Sequence, residues 1–354
     1  MDVLLIKTSS LGDLIHVMPA IRDAAAACPE ISIDWVVEES FAPLCDWHPD
    51  VRETIPIAFR RWRRRPIAGL FGGPLSRFRQ RLSARRYDAV IDAQGLYKSA
   101  VIARLANGPR YGFDKRSARE GLAAQAYDHP IRVDRDISVI DRNQHLFAAA
   151  LGYERPVSQP EYGLLASTFP EQPLSRPYIL FLHGGTWFTK RWPLHRWRAL
   201  AAAIAPSDYR VLIPWYNAEE RHRAELAADG FGHVHIRQVD LRSMGAAVAH
   251  AAGVVSVETG FAHLAAAFGR PGVTLYGPTS HVRNATRGEN QIRLRAGFPC
   301  SPCKKKHCAF TANLRQPAPC MEQISEAEVW STLSQLMANE LKTPHPLPLA
   351  SAGE

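Results

Sequence analysis

Short apolar runs alternate with amphipathic stretches along most of this chain. The apolar runs predict buried strands at residues 3–7, 31–37, 87–93, 178–183, 210–214, 233–237, 253–257 and 272–276. Apolar residues spaced three or four apart predict helices at residues 13–28, 76–84, 194–204, 218–228, 243–252, 261–268 and 325–341. Strands separated by helices are typical of parallel βαβ units, and the pattern occurs once in each half of the chain.

A proline-rich interval, Pro156 to Pro177, separates the two runs. The sequence therefore predicts an α/β protein with two Rossmann-like domains that face a central cleft. The predicted boundaries are an N-terminal domain at 1–160, a linker at 161–177, a second domain at 178–324, a C-terminal helix at 325–342 and a disordered tail at 343–354. Neither half contains G-x-G-x-x-G, so nothing in the motifs supports a dehydrogenase.

The first predicted strand ends in a polar turn, Lys7 to Asp13, before helical spacing resumes. Asp13 is therefore predicted in the first helical turn, beyond the carboxyl end of a buried strand. Ligands bind at such ends in open α/β sheets. By residue type alone, a helix-capping loop fits the same segment.

The charge balance favours an anionic partner. The 354-residue chain carries a net charge of +9, and ten arginines lie between Arg60 and Arg86, interleaved with aromatic side chains such as Trp62 and Phe78. This segment is typical of a surface that meets lipid phosphate or an anionic membrane; a solvated helix face is the second interpretation and nucleic acid the third, since no nucleic-acid motif accompanies it. With no membrane-length apolar run or signal peptide, we expect a cytoplasmic protein associated peripherally with the inner membrane.

Two strand ends in the second half carry groups that suit a diphosphate. After strand 178–183, small residues are followed by a hydroxyl and an ammonium group, on Thr186 and Lys190. After strand 253–257, Glu258 precedes Thr259 and Gly260, whose N–H groups would begin a helix. Each turn also fits an ordinary loop or cap, and His263 fits a buried core histidine.

Taken together and in order, these segments resemble glycosyltransferase family nine. The resemblance is carried by Lys7–Asp13 with Ile15-His16 and Met18-Pro19-Ala20, Asp34–Glu39, Arg60–Arg63, Tyr87–Gly95, Phe181–His183, and Thr259-Gly260 with His263-Leu264. It covers residues 1 to about 298. It implies the GT-B fold and an inverting, metal-independent transfer of L-glycero-D-manno-heptose from ADP-heptose to the inner Kdo of Kdo2-lipid A, a step in lipopolysaccharide inner-core synthesis.

The resemblance also implies roles for individual residues. Asp13 matches the position of a general base. Nucleotide-sugar contacts are implied for Thr186, Lys190, Glu219, Glu258, Thr259, Gly260 and His263. Acceptor contacts are implied for Ser10, Gly12, Arg60, Arg61, Arg63, Lys98 and Arg119. Glu258 stands where the family usually has Asp, and Glu219 is preferred to Glu220 as the ribose ligand.

Four cysteines cluster near the C-terminus, at Cys300, Cys303, Cys308 and Cys320. In a reducing compartment this spacing predicts either a structural zinc or iron site or free thiols. No cofactor is implied for catalysis itself. Similar segments occur in family members that modify autotransporter proteins, so a protein acceptor is an alternative, as is a non-catalytic membrane-associated binding module.

Overall fold

The computed structural model of the protein describes residues 1–64, 73–311 and 316–340, apart from the side chains of 62–64 and 74. Within these residues, twelve parallel strands form two six-stranded sheets. The strands are β1 (Asp2–Ile6), β2 (Ser32–Glu38), β3 (Val51–Ile57), β4 (Ala89–Asp92), β5 (Arg110–Phe113), β6 (His129–Ile131), β7 (Tyr178–Leu182), β8 (Arg210–Trp215), β9 (Val234–Gln238), β10 (Gly253–Val257), β11 (Gly272–Tyr276) and β12 (Gln291–Arg295). The predicted α/β fold with two Rossmann-like domains, that of the GT-B class, is confirmed.

The two sheets have the same topology. The first has the order β3-β2-β1-β4-β5-β6, and the second has the order β12-β11-β10-β7-β8-β9. Numbered within its own sheet, each follows the Rossmann order 3-2-1-4-5-6. The order reverses between β1 and β4 and again between β7 and β10. At such switch points, ligands bind beyond the carboxyl ends of the strands.

The helices cover these sheets. Their bounds are α1 (Leu11–Ile15), α2 (Met18–Ala27), α3 (Ala42–Asp46), α4 (Phe59–Arg64), α5 (Gly73–Ser83), α6 (Tyr97–Leu105), α7 (Val139–Leu151), α8 (Leu194–Ile204), α9 (Ala218–Ala228), α10 (Leu241–Ala249), α11 (Gly260–Ala267), α12 (Pro319–Glu322) and α13 (Glu326–Glu340). Central strands such as β7 and β10 are buried along their whole length, as helices on both faces of a parallel sheet require. Among the described helices, none is long and apolar enough to cross a bilayer.

The chain divides into two compact units that differ from the predicted boundaries. The first unit comprises Met1–Gln172, Val239–Ala249 and Ser280–Gly288, and the second takes the intervening and following segments. Helix α10 therefore belongs to the first unit. There a Cβ on Gly245 would lie 2.7 Å from ring atoms of both Trp47 and Phe169, so glycine allows the helix to pack closely. The predicted tail at 343–354 lies outside the described residues.

In place of the single helix predicted at 13–28, the structure has two, α1 and α2. Pro19 lies in the first turn of α2. Proline has no N–H to continue the hydrogen bonding of a helix, and its ring clashes with the preceding turn. The apolar spacing is kept across the break, which is why the sequence pattern looked continuous.

The prediction missed several elements, among them β12 and α7. Strand β12 lies at a sheet edge and is mostly exposed, so its charged residues hide the strand pattern. Helix α7 buries two amides: the Asn143 side chain donates to the His16 carbonyl at 2.9 Å, and that of Gln144 donates to Asp23 at 2.8 Å. Polar residues in a buried stripe weaken the helical signal.

Candidate active site

The carboxylate of Asp13 is fixed in the first turn of α1, directly beyond β1. Ser10 caps this helix: its backbone N–H donates to Asp13 Oδ2 at 2.9 Å, and its hydroxyl donates to the same oxygen at 3.0 Å. These bonds occupy one carboxylate oxygen and orient the group. The structure therefore brings Ser10, Gly12 and Asp13 together at the switch point of the first sheet.

A buried lysine underlies this turn. Lys7 is only 5% exposed, and its ammonium group donates to the Ala93 carbonyl at 2.7 Å. Burial lowers the pKa of Lys7, whereas the carboxylates of Asp13 and Asp92 oppose that shift. The positive charge of Lys7 thus acts on both carboxylates at the switch point.

The turns after β1 and β4 are tied to each other. Gln94 Oε1 accepts from the backbone N–H of Thr8 at 3.0 Å and of Ser9 at 3.3 Å. Asp92 in turn accepts from the Gln94 N–H at 2.8 Å and from the Tyr127 hydroxyl at 2.7 Å. Burial raises the pKa of Asp92, and these bonds oppose the shift. These hydrogen bonds hold the turn that carries Asp13 against the turn after β4.

Cationic side chains of α4 and α6 lie over aromatic rings. The Arg60 guanidinium is 5.3 Å from the Phe41 ring centroid, and the Lys98 ammonium is 5.6 Å from that of Phe59. These contacts hold the aliphatic stems against apolar surface and leave the charges without a carboxylate partner among the described residues.

The other predicted acceptor residues differ in their surroundings. Arg61 pairs with Glu39 at 3.0 Å, so its charge is partly neutralised. Arg119 is exposed in the segment after β5, next to Gly95. Arg63 belongs to α4, but its side chain lies outside the described residues.

Part of the arginine-rich segment is structural. Arg81 bonds to Glu53 at 3.0 Å through Nε, and Arg85 bonds to buried Asp34 at 2.9 Å. Asp34 also accepts from the Tyr87 hydroxyl at 3.0 Å. These arginines neutralise carboxylates of β2 and β3.

In the second unit, the switch point carries an ion pair. Gly184 and Gly185 follow β7, and Lys190 ends the next short turn, where its ammonium group pairs with the carboxylate of Glu258 beyond β10. The same ammonium group lies 4.8 Å from the Trp187 ring centroid. Thr186 is exposed in the loop between them. Lys190 and Glu258 thus join the two strand ends on either side of the reversal.

Helix α11 begins at this site. Its N-cap is Thr259, whose hydroxyl oxygen accepts from the Phe261 N–H at 3.2 Å, and Gly260 is its first residue. The free N–H groups of such a helix end favour an anion. His263 lies one turn on and is buried.

Of two adjacent glutamates, Glu220 and not Glu219 lies beside the glycine turn. Glu220 Oε1 is 2.7 Å from the point that a Cβ on Gly184 would occupy, and Oε2 accepts from the Tyr216 N–H at 2.9 Å. The Glu219 carboxylate pairs with Arg191 instead. Glu220 therefore lies at the glycine turn and Glu219 beside Arg191, and the ribose ligand stays a prediction.

Two buried basic side chains near this site, Arg223 and His183, have lowered pKa values. Burial lowers the pKa of Arg223 to about 10, with Arg191 as a second cause, and its Nε has no partner among the described residues. Burial also lowers the pKa of His183 to about 4, with the ring bonded to the Pro214 carbonyl at 3.2 Å. His183 is therefore neutral at pH 7.

The four C-terminal cysteines lie near each other in the second unit. Burial raises the pKa of Cys320 to about 11, and Cys303, Cys300 and Cys308 add to the shift. In the described ranges, however, no group of three or more His, Cys, Asp or Glu side chains is placed to hold a metal ion. Cys320 packs in the apolar core of the second unit. The predicted zinc or iron site is not supported.

A D-x-D triplet, Asp134-Arg135-Asp136, follows β6 in the first unit. Here Asp134 Oδ1 accepts from the Asp136 N–H at 2.9 Å, which is an ordinary turn. Over the described part of the chain, no further ligand joins these two carboxylates.

The sequence profile of glycosyltransferase family 9 (heptosyltransferase) matches residues 75–313. The chain belongs to this family. Among its relatives is lipopolysaccharide heptosyltransferase 1 of Pseudomonas aeruginosa, which is 44% identical over 312 residues, or 88% of each chain. The family is a class of enzymes, so the strand-end groups described above belong to a catalytic protein.

Solved structures of this family are similar over nearly the whole chain. Heptosyltransferase WaaC of E. coli with ADP has a TM-score of 0.82 and 38% identity, covering 95% of this chain and 100% of that one. The same enzyme with ADP-2-deoxy-2-fluoro heptose has a TM-score of 0.79 at 38% identity, covering 95% and 99%.

The family resemblance in sequence assigned no role to Lys7, Asp92 or Gln94. One signal was available for Lys7: a lysine at the end of an apolar strand is costly to bury without a partner. The partners of Lys7 and Gln94 lie 85 or 86 residues away in sequence, so only the fold reveals them.

Proposed function

We propose that this chain transfers L-glycero-D-manno-heptose from ADP-heptose to the inner Kdo of Kdo2-lipid A, with inversion and without a catalytic metal. The observation that carries the proposal is the fixed carboxylate of Asp13 at a ligand-binding switch point, in a chain 44% identical to a lipopolysaccharide heptosyltransferase 1. Asp13 acts as the general base: Oδ2 is held by Ser10, and Oδ1 takes the proton of the acceptor hydroxyl as that oxygen attacks the anomeric carbon.

The donor binds at the switch point of the second unit. Lys190 and the N–H groups of Thr259 and Gly260 hold the diphosphate and stabilise the charge that grows on ADP as it leaves. Thr186, exposed in the same loop, donates a hydroxyl to it. These groups supply the positive charge that a metal provides in other glycosyltransferases.

Two carboxylates of the second unit orient the donor. Glu258 orients the Lys190 ammonium group and accepts from a donor hydroxyl. Glu220, beside Gly184, takes the ribose position that Glu219 was expected to take. His263, one turn into α11, supports the nucleotide-sugar site from within the helix.

The acceptor is anionic, and cations of the first unit bind it. Arg60, Lys98 and Arg119 have no carboxylate partner among the described residues, so their charges are available to Kdo carboxylates and lipid A phosphates. Arg61 extends the same surface, Arg63 is a further acceptor contact implied by the family resemblance, and Ser10 and Gly12 shape the turn that receives the reacting hydroxyl. The enzyme works at the cytoplasmic face of the inner membrane, where this lipid is exposed.

The test uses purified full-length chain, ADP-heptose and Kdo2-lipid A stripped of its acyl chains, with EDTA present throughout. We expect a product one heptose heavier by mass spectrometry, release of one ADP per product, and an anomeric configuration opposite to that of the donor. Binding of ADP-heptose without any product would contradict this acceptor. In that case the same assay on a protein acceptor tests the alternative, which the high identity to lipopolysaccharide enzymes does not favour. Product that forms only when EDTA is omitted would contradict metal independence.

A further inference from the structure

Three large apolar side chains are exposed together on the first unit. Tyr97 is 48% exposed, Val101 is 61% exposed and Leu122 is 54% exposed. Tyr97 and Val101 lie one turn apart on one face of α6, whose opposite face is buried. Leu122 lies in the 3₁₀ helix Gly121–Ala126, which packs against α6. We name these three side chains the α6 patch.

Hydrogen bonds fix the two elements of the patch to each other. The Tyr97 N–H donates to the Glu120 carboxylate at 2.7 Å, and the Arg104 guanidinium donates to the Gln125 carbonyl at 2.9 Å. These bonds bracket Leu122 at both ends of its helix. The three side chains are therefore presented by two hydrogen-bonded helical elements rather than by a loop.

Basic side chains surround the patch. Lys98 and Arg104 share α6 with it, and the segment before Leu122 carries exposed Lys115, Arg116 and Arg119. Within the described residues none of these five forms an ion pair, although the charge of Arg104 acts on the Asp128 carboxylate, which pairs with Arg110.

The acidic groups nearby are engaged with backbone. Glu120 accepts from the Tyr97 N–H, and Asp114 accepts from the Arg116 N–H at 3.1 Å and the Ser117 N–H at 2.7 Å. These bonds lower the pKa of Asp114, although its partial burial opposes them. The surface thus combines an apolar centre with a rim of unpaired cations.

We propose that the α6 patch docks this enzyme onto the surface of an anionic phospholipid bilayer. Aliphatic side chains enter the headgroup boundary, tyrosine is stable at that depth, and lysine and arginine reach the lipid phosphates. Three apolar side chains are too few for a stable protein interface, which buries about 1,200 Å² or more. Because Lys98 and Arg119 belong both to this rim and to the proposed acceptor site, docking would present the lipid acceptor to Asp13. The inference rests on the proposed function only for this last point.

The test measures binding of the full chain to sedimented vesicles. Vesicles of phosphatidylglycerol and phosphatidylcholine are compared with vesicles of phosphatidylcholine alone, for wild type and for the double variant Val101→Glu with Leu122→Glu. The matched control is Val157→Glu, because Val157 is 92% exposed in the first unit outside this surface. A gentler double variant, Val101→Ser with Leu122→Ser, is carried alongside, and thermal unfolding confirms that each variant folds.

We expect wild type and the control to bind the anionic vesicles, less so at raised salt, and both double variants to bind at least about fivefold more weakly. Transfer to acceptor without acyl chains should be unchanged in the double variants, whereas transfer to acceptor embedded in vesicles should fall. Equal vesicle binding by wild type and the folded double variants would overturn the proposal. So would a lack of wild-type binding to anionic vesicles. If the proposed function is wrong, wild type will not transfer heptose even to the acceptor without acyl chains. That result is independent of vesicle binding.

Discussion

The two switch points share a topology and differ in charge. Each lies where the strand order 3-2-1-4-5-6 reverses, and each places a side chain on the turn after the first strand of its sheet. In the first sheet that side chain is the carboxylate of Asp13, held by neutral donors of Ser10. In the second it is the ammonium group of Lys190, paired with Glu258. The fold places both groups at strand ends where ligands bind. The proposed function assigns the acceptor hydroxyl to the first site and the donor diphosphate to the second.

The largest effect on the transfer rate is expected when the base is removed. Asp13→Asn keeps an oxygen for the Ser10 bonds but cannot accept a proton, so we expect the rate of transfer at saturating substrates to fall about 10²- to 10⁴-fold. The control is Asp134→Asn, in the D-x-D turn of the same unit, which should keep wild-type activity. Rates are measured as ADP release with EDTA present. Loss of activity in Asp134→Asn would show that Asp13 is not the one carboxylate of the first unit on which catalysis depends.

The next largest effect, on ADP affinity, is expected when the ammonium group of Lys190 is removed. Lys190→Met loses a charged bond to the diphosphate and leaves Glu258 unpaired, so we expect ADP to bind about 10- to 100-fold more weakly. The control is Lys306→Met, because Lys306 also lies over the Trp187 ring, at 5.7 Å. Calorimetric titration with ADP measures both. Similar losses in the two variants would mean that general positive charge, not the Lys190–Glu258 pair, binds the donor.

Acid should affect both units in the same way, because each contains a buried histidine with a lowered pKa. Burial lowers the pKa of His48 in the first unit and of His183 in the second to about 4. Each unfolded histidine binds a proton near pH 6.5 and each folded one does not, so stability is lost as the pH falls from about 6.5 towards 4. At pH 5 the loss for His183 alone is about 2 kcal/mol. Urea unfolding at pH 7 and pH 5 measures it.

The variant His183→Gln should flatten that pH dependence. Its control is His222→Gln, a substitution of an exposed histidine on α9, which should leave the dependence unchanged. An unchanged slope in His183→Gln would show that His183 does not resist protonation.

The smallest expected effect is a difference in ADP affinity between variants of Glu219 and of Glu220. Glu220→Gln should weaken ADP binding about five- to tenfold, through loss of one bond to ribose, while Glu219→Gln should change it less than about twofold. Titration with ADP compares the two directly. The reverse order would restore the preference derived from sequence and contradict the contact between Glu220 and Gly184.

The sequence predicted the parts of the site that follow strands. Asp13, Lys190 and Thr259 each stand just beyond an apolar run, and the switch-point rule needs no more than that. It could not separate Glu219 from Glu220, because adjacent residues of a helix differ only by a rotation of about 100°. It also could not find the support of Lys7 and Gln94, since those partners come from a distant strand end.

Strands buried along their whole length were predicted. Of the two mostly exposed edge strands of the second sheet, β9 was predicted and β12 was missed. Strands β1, β7 and β10 are apolar along their length and were found. Strand β12, at a sheet edge, carries charges that face solvent, and helix α7 buries amides that only long-range hydrogen bonds satisfy. Of the two alternatives for the cysteines, the metal site is not supported, and cysteine spacing does not reveal that Cys320 is a core side chain.

The most direct test of the separate roles of the two sites compares Asp13→Asn with Lys190→Met. For each variant it measures the affinity for ADP-heptose and the single-turnover rate at saturating ADP-heptose. The account predicts that Asp13→Asn binds ADP-heptose as wild type does and transfers it about 10³-fold more slowly. It predicts that Lys190→Met loses mainly affinity, with a rate at saturation that falls less than in Asp13→Asn. Weakened donor binding in Asp13→Asn, together with a near wild-type rate at saturation, would contradict the central claim that the first site supplies the base and the second holds the donor.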